Sequence, residues 1–270
     1  MKIGIVSSGN ETLALFKFLT RYEHAYLVYH DQMHFPFGTK DVDFVLTEIK
    51  KGIGFLRDQG AEQIIVDPLF ELVLLQEEEG KDYIFPLFST YLLQYCFAYS
   101  LVGKLGIFSD FATKDYVQQV LAQFEKQYQL SEAQQSVAKF SFPFQYRVKS
   151  AGPRTAGIAG LGVHNPYVIR TLKHDLRYFK DAYVDTLIPM SYQYFRMQRT
   201  LKAFFTFNKT RFHDLSVLES CFTSLSSTKE SSYAVQVWTN QNPKFLLQEK
   251  ELIRLMERGK QVPMLIEKFG

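Results

Sequence analysis

Four short segments carry residue types that can do chemistry. Ile64-Ile65-Val66-Asp67-Pro68-Leu69-Phe70 reads as a buried strand that stops at an acid and runs into a helix. In open α/β sheets the end of such a strand is where ligands bind, so Asp67 is a candidate general base. Ser7-Ser8-Gly9-Asn10 follows a first strand and precedes a helix, where backbone amides can hold an anion. His30-Asp31-Gln32-Met33-His34 offers metal-ligand types, with His at i and i+4. That spacing serves a metal on a helix, and Pro36-Phe37-Gly38 makes this stretch a loop, so no metal is expected. Gly160-Leu161-Gly162 before Asn165-Pro166 can cradle a phosphate. It lacks the third glycine and the partner acid of a dinucleotide site. There is no GxSxG elbow, no P-loop and no HExxH.

The elements that must position these groups follow from apolar spacing. Strands are expected at Lys2–Val6, Ala25–Tyr29, Ile64–Val66, Ile84–Phe88, Leu105–Phe108, Thr186–Ile188 and Ala234–Trp238. Helices are expected at Thr12–Leu19, Tyr116–Tyr128 and near Leu247–Arg258. Another spans 42 to 57, with Val45, Ile49, Ile53 and Leu56 on one face. Thr113 is placed to cap the 116–128 helix, and Asn165-Pro166 starts a helix running to about Tyr183. Glu77-Glu78-Glu79-Gly80-Lys81-Asp82 reads as a solvated loop. A βαβ series of this kind predicts an α/β fold with mainly parallel sheets, restarting near Leu101–Lys104.

Composition excludes several classes. The 270 residues are 46% hydrophobic, which supports a full core. A net charge of +3, scattered along the chain, gives no nucleic-acid footprint. The aromatics sit inside apolar runs such as Tyr91 to Tyr99, which indicates packing rather than base stacking. Cys96 and Cys221 are the two cysteines, too few for a disulfide framework or a thiolate metal site. No signal peptide or membrane span is apparent, and a cytoplasmic protein is the default expectation.

Taken in order, these pieces resemble the aspartate/glutamate racemase superfamily, and glutamate racemase most of all. Ile3-Gly4-Ile5-Val6-Ser7-Ser8-Gly9 resembles the family opening I-G-V-F-D-S-G. His30-Asp31 through Pro36-Phe37-Gly38-Thr39-Lys40 resembles G-D-x-x-x-x-P-Y-G-T-K. Ile64-Ile65-Val66 stands where the family has I-V-V-A-C-N-T, and Gly103–Thr113 resembles the restart strand with its T-x-x-T loop. Residues Asp185 to Tyr194 look like D-T-L-I-L-G-C-T-H-Y, and Trp238 to Pro243 echo T-S-G-D-P. Residues 130–160 match least.

The resemblance implies two similar doubly wound subdomains, 1–100 plus 211–270 and 101–210, with the ligand in a cleft between them. It implies a small carboxylate or amino-acid-like ligand, no cofactor, no nucleic-acid or membrane partner, and a homodimer. The family chemistry uses one thiolate to remove the α-proton and a second thiol to return a proton on the opposite face. Carried over by position, both thiols are missing. Pro68, or Asp67 if the loop slides by one, stands at the first Cys, with Leu69 and Phe70 at the following Asn and Thr. Ser191 stands at the second Cys and Gln193 at the His. Ser7 replaces the first-motif Asp, and Asp110 replaces the first Thr of the pair of which Thr113 is the second.

Two expectations follow. In the first, the chain is a racemase-like binding or regulatory homologue without two-thiol racemisation. Ser7, Ser8, Gly9, Pro36, Phe37, Gly38, Thr113, Tyr192 and Gln193 would then line the ligand. In the second, it is a cofactor-independent isomerase or lyase acting on a carboxylate through Asp67 and Ser191 or nearby groups. The second requires Asp67 to face an open cleft.

Overall fold

The computed structural model describes residues 1–9, 11–111, 113–129, 144–206, 209–226, 232–244, 250–257 and 264–268. Along the chain the strands are β1 (Lys2–Ser7), β2 (Ala25–His30), β3 (Gln63–Ile65), β4 (Lys104–Ser109), β5 (Gln145–Ser150), β6 (Thr186–Pro189), β7 (Arg211–Phe212), β8 (Ala234–Thr239) and β9 (Met264–Lys268). Every pairing among them is parallel. They form two sheets, ordered β3-β1-β2-β8-β9 and β5-β4-β6-β7. The α/β class and the two mainly parallel sheets expected from the βαβ pattern are what the chain forms.

The chain divides into two compact units, one made of Met1–Pro86 with Leu225–Gly270 and the other of Leu87–Ser224. Residues 87–100 and 211–224 therefore pack in the second unit, a different division from the subdomain limits that the motif pattern implied. The strand β7 explains part of this, because it extends the second sheet by pairing with β6.

In the first unit, β1 and β2 are apolar runs buried along nearly their whole length, as parallel strands covered on both faces must be. α1 (Glu11–Leu19) follows β1, and α2 (Val42–Asp58) follows β2. Asp41 caps α2, its carboxylate accepting from Asp43 N at 2.9 Å and Phe44 N at 3.3 Å. The buried stripe of α2 is Val45, Ile49, Gly52 and Leu56. Gly52 takes the turn of the stripe where Ile53 was expected, because a Cβ at Gly52 would lie 2.8 Å from Tyr29 Cδ1. On β8, Trp238 donates its indole N–H to Glu267 Oε2 at 2.9 Å and meets Phe55 edge-on.

The second unit repeats the first locally. Lys104-Leu105-Gly106-Ile107-Phe108-Ser109-Asp110 parallels Lys2-Ile3-Gly4-Ile5-Val6-Ser7-Ser8. The order β6-β4-β5 likewise parallels β3-β1-β2. Gly4 and Gly106 are equivalent and have the same cause. A Cβ on Gly4 would lie 2.9 Å from Ile64 Cγ1, and one on Gly106 would lie 2.8 Å from Phe179 Cδ1. The core around Gly106 joins Phe108, Leu172, Leu176, Phe179, Leu187, Tyr194 and Leu201.

One expectation needs correction, and two others can be placed. Ile84–Phe88 is not a strand: Ile84 makes one isolated bridge to Ile64, Pro86 interrupts the extended backbone, and α4 (Leu87–Tyr91) begins at once. Gly160-Leu161-Gly162 is not a phosphate cradle. Gly160 and Leu161 end the helix Gly152–Leu161, and Gly162, at φ 79°, stops it with its N–H bonded to Ile158 O. The helix expected near Leu247–Arg258 is described for Lys250–Met256, and residues 247–249 and 258 lie outside the described residues. The helix start at Asn165 holds, its side chain accepting from Tyr167 N at 2.9 Å. Cys96 and Cys221 are buried, and the acidic loop is largely exposed. No described helix is long and apolar enough to cross a membrane.

Candidate functional site

The candidate residues gather at the carboxyl ends of the parallel strands, the expected place for ligands in such sheets. In the first unit Ser7 closes β1, His30 closes β2, and Asp67 follows β3. Asp31 N donates to Ser7 O at 2.9 Å, which ties the β1 and β2 ends together. Ser7 Oγ bonds Thr12 Oγ1 and lies 3.3 Å from His30 Nδ1, and His30 Nε2 is 3.1 Å from Gln32 Oε1. His30 is 3% exposed, and burial depresses its pKa to about 4. It is a neutral imidazole at physiological pH.

Ser8 and Gly9 continue from β1, and Ser8 O accepts from Glu11 N. Gly9 has φ 52° and lies under the Phe35 ring, so no side chain fits there. Asn10 lies outside the described residues. Pro36 caps the 3-10 turn Phe37–Thr39, with Phe37 and Gly38 buried.

Asp67 is the N-cap of α3 (Pro68–Leu74), and its Oδ1 accepts from Leu69 N at 2.9 Å. Pro68 occupies the first helical position, where its missing N–H is no loss. Asp67 is 4% exposed, and Leu69, Phe70 and Glu71 are fully buried. One carboxylate oxygen of this buried residue thus serves the helix end.

The second unit builds a buried polar knot at the equivalent strand ends. Thr155 on the helix Gly152–Leu161 donates to Asp110 Oδ1 at 2.7 Å and lies 3.1 Å from the Tyr194 hydroxyl. Tyr194 and Ser191 are further hydrogen-bond partners of Asp110. Burial pushes the Asp110 carboxyl above its ordinary value, and those bonds offset part of the rise. Ser191, which follows β6, is fully buried and accepts from Gln193 N at 3.3 Å, opening the 3-10 stretch Tyr192–Met197. Tyr192 and Gln193 are also buried, and Gln193 Oε1 has no hydrogen-bond partner. Thr113 is exposed and immediately precedes α5 (Lys114–Gln129), its carbonyl accepting from Val117 N.

Sequence reasoning picked Ser7, Asp67 and Ser191 but passed over the groups that hold them. Thr155 lies in a helix that glycine and proline made hard to read. Asn240 falls within the Trp238 to Pro243 motif, and its Nδ2–H donates to Asp31 Oδ1 at 2.5 Å. Its own Oδ1 accepts from Gln32 N and Met33 N, both at 3.0 Å.

No family model matches the chain, and no curated protein sequence does either. Solved structures do. The RacE1 isoform of glutamate racemase from Bacillus anthracis superposes with a TM-score of 0.70 at 14% identity, covering 99% of this chain and 97% of that one. Glutamate racemase from Francisella tularensis in complex with D-glutamate gives 0.69 at 16% identity, over 100% and 97% of the two chains. The Thermus thermophilus enzyme in complex with β-chloro-D-alanine gives 0.68 at 16% identity, over 98% and 96%. The fold is the glutamate racemase fold, spanning the whole chain. The likeness that the ordered motifs suggested is met at the level of structure.

Proposed function

We propose that this protein is a glutamate racemase-like homologue that binds a small carboxylate or amino-acid-like ligand and does not perform two-thiol racemisation. One observation carries this reading: neither strand end where the resemblance asks for a thiol has one. Asp67-Pro68 turns directly into α3, and Ser191 is a buried helix-capping residue. The chain's two cysteines both fall in the second unit, Cys96 in the π-helical stretch Leu92–Phe97 and Cys221 in the helix Leu215–Leu225. Burial drives the Cys96 thiol far above its usual range, so it is not a thiolate at neutral pH.

A serine hydroxyl does not replace the thiol. Its proton is far less acidic, and Ser191 bonds a carboxyl that burial holds towards its neutral form. The complexes of two structural neighbours, with D-glutamate and with β-chloro-D-alanine, support an amino-acid-like ligand class.

The test is incubation with D- and L-glutamate and D- and L-aspartate in deuterated water, read by proton NMR at the α-position. A thermal-shift series with the same compounds and simple dicarboxylates runs beside it. The expected result is a stabilising shift from at least one carboxylate and no loss of the α-proton signal. Exchange that vanishes in Asp67→Asn would overturn the proposal in favour of an enzyme. Absence of any shift would remove the ligand class.

A further inference from the structure

A cluster of metal-ligand types stands at the ends of β2 and β8 in the first unit, where sequence spacing had argued against one. Asp31, His34 and Glu48 each offer a donor atom, and the three atoms lie within 4.8 Å of one another. The residues come from three places: the end of β2, the loop after it, and the first half of α2. We propose that Asp31, His34 and Glu48 form a divalent-cation site, suited to a transition ion such as Zn2+.

The donor set carries the choice of ion. One imidazole with two carboxylates suits a borderline ion better than Mg2+ or Ca2+, which take oxygen ligands. His34 Nδ1 and Asp31 Oδ2 are 2.8 Å apart, a hydrogen-bond distance, so an ion bound by both atoms displaces the proton between them. The Asp31 side chain is 2% exposed and that of Glu48 12%. A cation beside two carboxylates so little hydrated offsets their mutual repulsion. Glu48 meets one in Lys51 at 2.6 Å, whose 61% exposed side chain is free to swing into solvent when an ion takes its place.

The site is also held from behind. Asn240 donates to Asp31 Oδ1 while its carbonyl oxygen fixes the backbone of Gln32 and Met33. His34 N donates to the same carboxylate oxygen at 3.1 Å. Such outer bonds orient metal-ligating carboxylates. Gly52, one turn beyond Glu48, lets α2 pack closely on Tyr29, where a Cβ would lie 2.8 Å from Tyr29 Cδ1. Asp31 and Glu48 both place negative charge near the Tyr29 hydroxyl.

The experiment is calorimetric titration of the chelator-treated full-length protein with ZnCl2. One ion per chain is expected. His34→Ala and Glu48→Gln should each weaken binding at least tenfold, and Asn240→Ala by roughly 10- to 100-fold. Cys96→Ser, Cys221→Ser and His174→Ala should leave it unchanged. Circular dichroism confirms that each variant is folded. If His34→Ala does not fold, the isosteric Glu48→Gln decides the matter. No binding by the parent protein, or unchanged affinity in Glu48→Gln, overturns the proposal.

Discussion

Thr155 donates its hydroxyl proton to Asp110 Oδ1 at 2.7 Å inside the second unit, with Tyr194 and Ser191 as further partners. Removing the donor should leave a buried oxygen short of a bond. Thr155→Val is expected to lower stability by about 1–3 kcal/mol, measured by urea unfolding. An unchanged midpoint would show that Thr155 does not support the carboxyl.

The raised pKa of Asp110 has a defined pH signature. A carboxyl whose folded value lies above its unfolded 3.8 contributes stability that is complete below that value. The contribution is lost as pH rises through the folded value. Asp110→Asn cannot ionise, so it should gain stability relative to the parent as pH is raised from 4 towards 7. Melting temperatures of both proteins across that range give the comparison, and parallel curves would refute it.

His30 has the opposite signature. Its folded pKa is depressed to about 4 by burial, against 6.5 unfolded. The stabilisation is complete above 6.5 and is lost as pH falls towards 4, amounting to ~3 kcal/mol over that window. The His30 ring signals in an NMR titration should stay neutral down to about pH 4. A midpoint near 6.5 would mean that the ring is hydrated.

Asp67 caps α3 through Leu69 N. Asp67→Ala should therefore cost about 1–2 kcal/mol of stability in urea unfolding. Asp67→Asn, which can still accept that bond, should retain most of it. If instead the two variants are equally damaged, the charge and not the cap is what Asp67 supplies.

Gly4 and Gly106 sit at matching places in β1 and β4 with no room for a Cβ. Gly106→Ala must displace the Phe179 ring, and a loss of about 1–3 kcal/mol is expected. Gly4→Ala should behave similarly against Ile64. Calorimetric melting of the two variants checks both.

The central strands were legible because β1, β2, β4, β6 and β8 are short apolar runs. β5, β7 and β9 were not. β5 alternates as Gln145-Tyr146-Arg147-Val148-Lys149-Ser150, with charged residues on an edge strand, and β7 is two residues long. The ordered motifs exposed the fold, since strand ends keep their turn residues even at low identity. The supporting bonds stayed hidden because Thr155 and Asp110 are 45 positions apart, and Asp31 and Asn240 are 209. Local pattern carries no information about such pairs.

Trp238 is the sole tryptophan of the chain, and it belongs to the first unit. Its indole is 7% exposed, bonded to Glu267 and packed on Phe55. Emission excited at the red edge of indole absorption therefore watches one half of the molecule while the other half stays dark. The protein carries its own single-site optical probe. Melting followed by that emission and by far-ultraviolet ellipticity would separate the two halves if they unfold apart, without any label being attached.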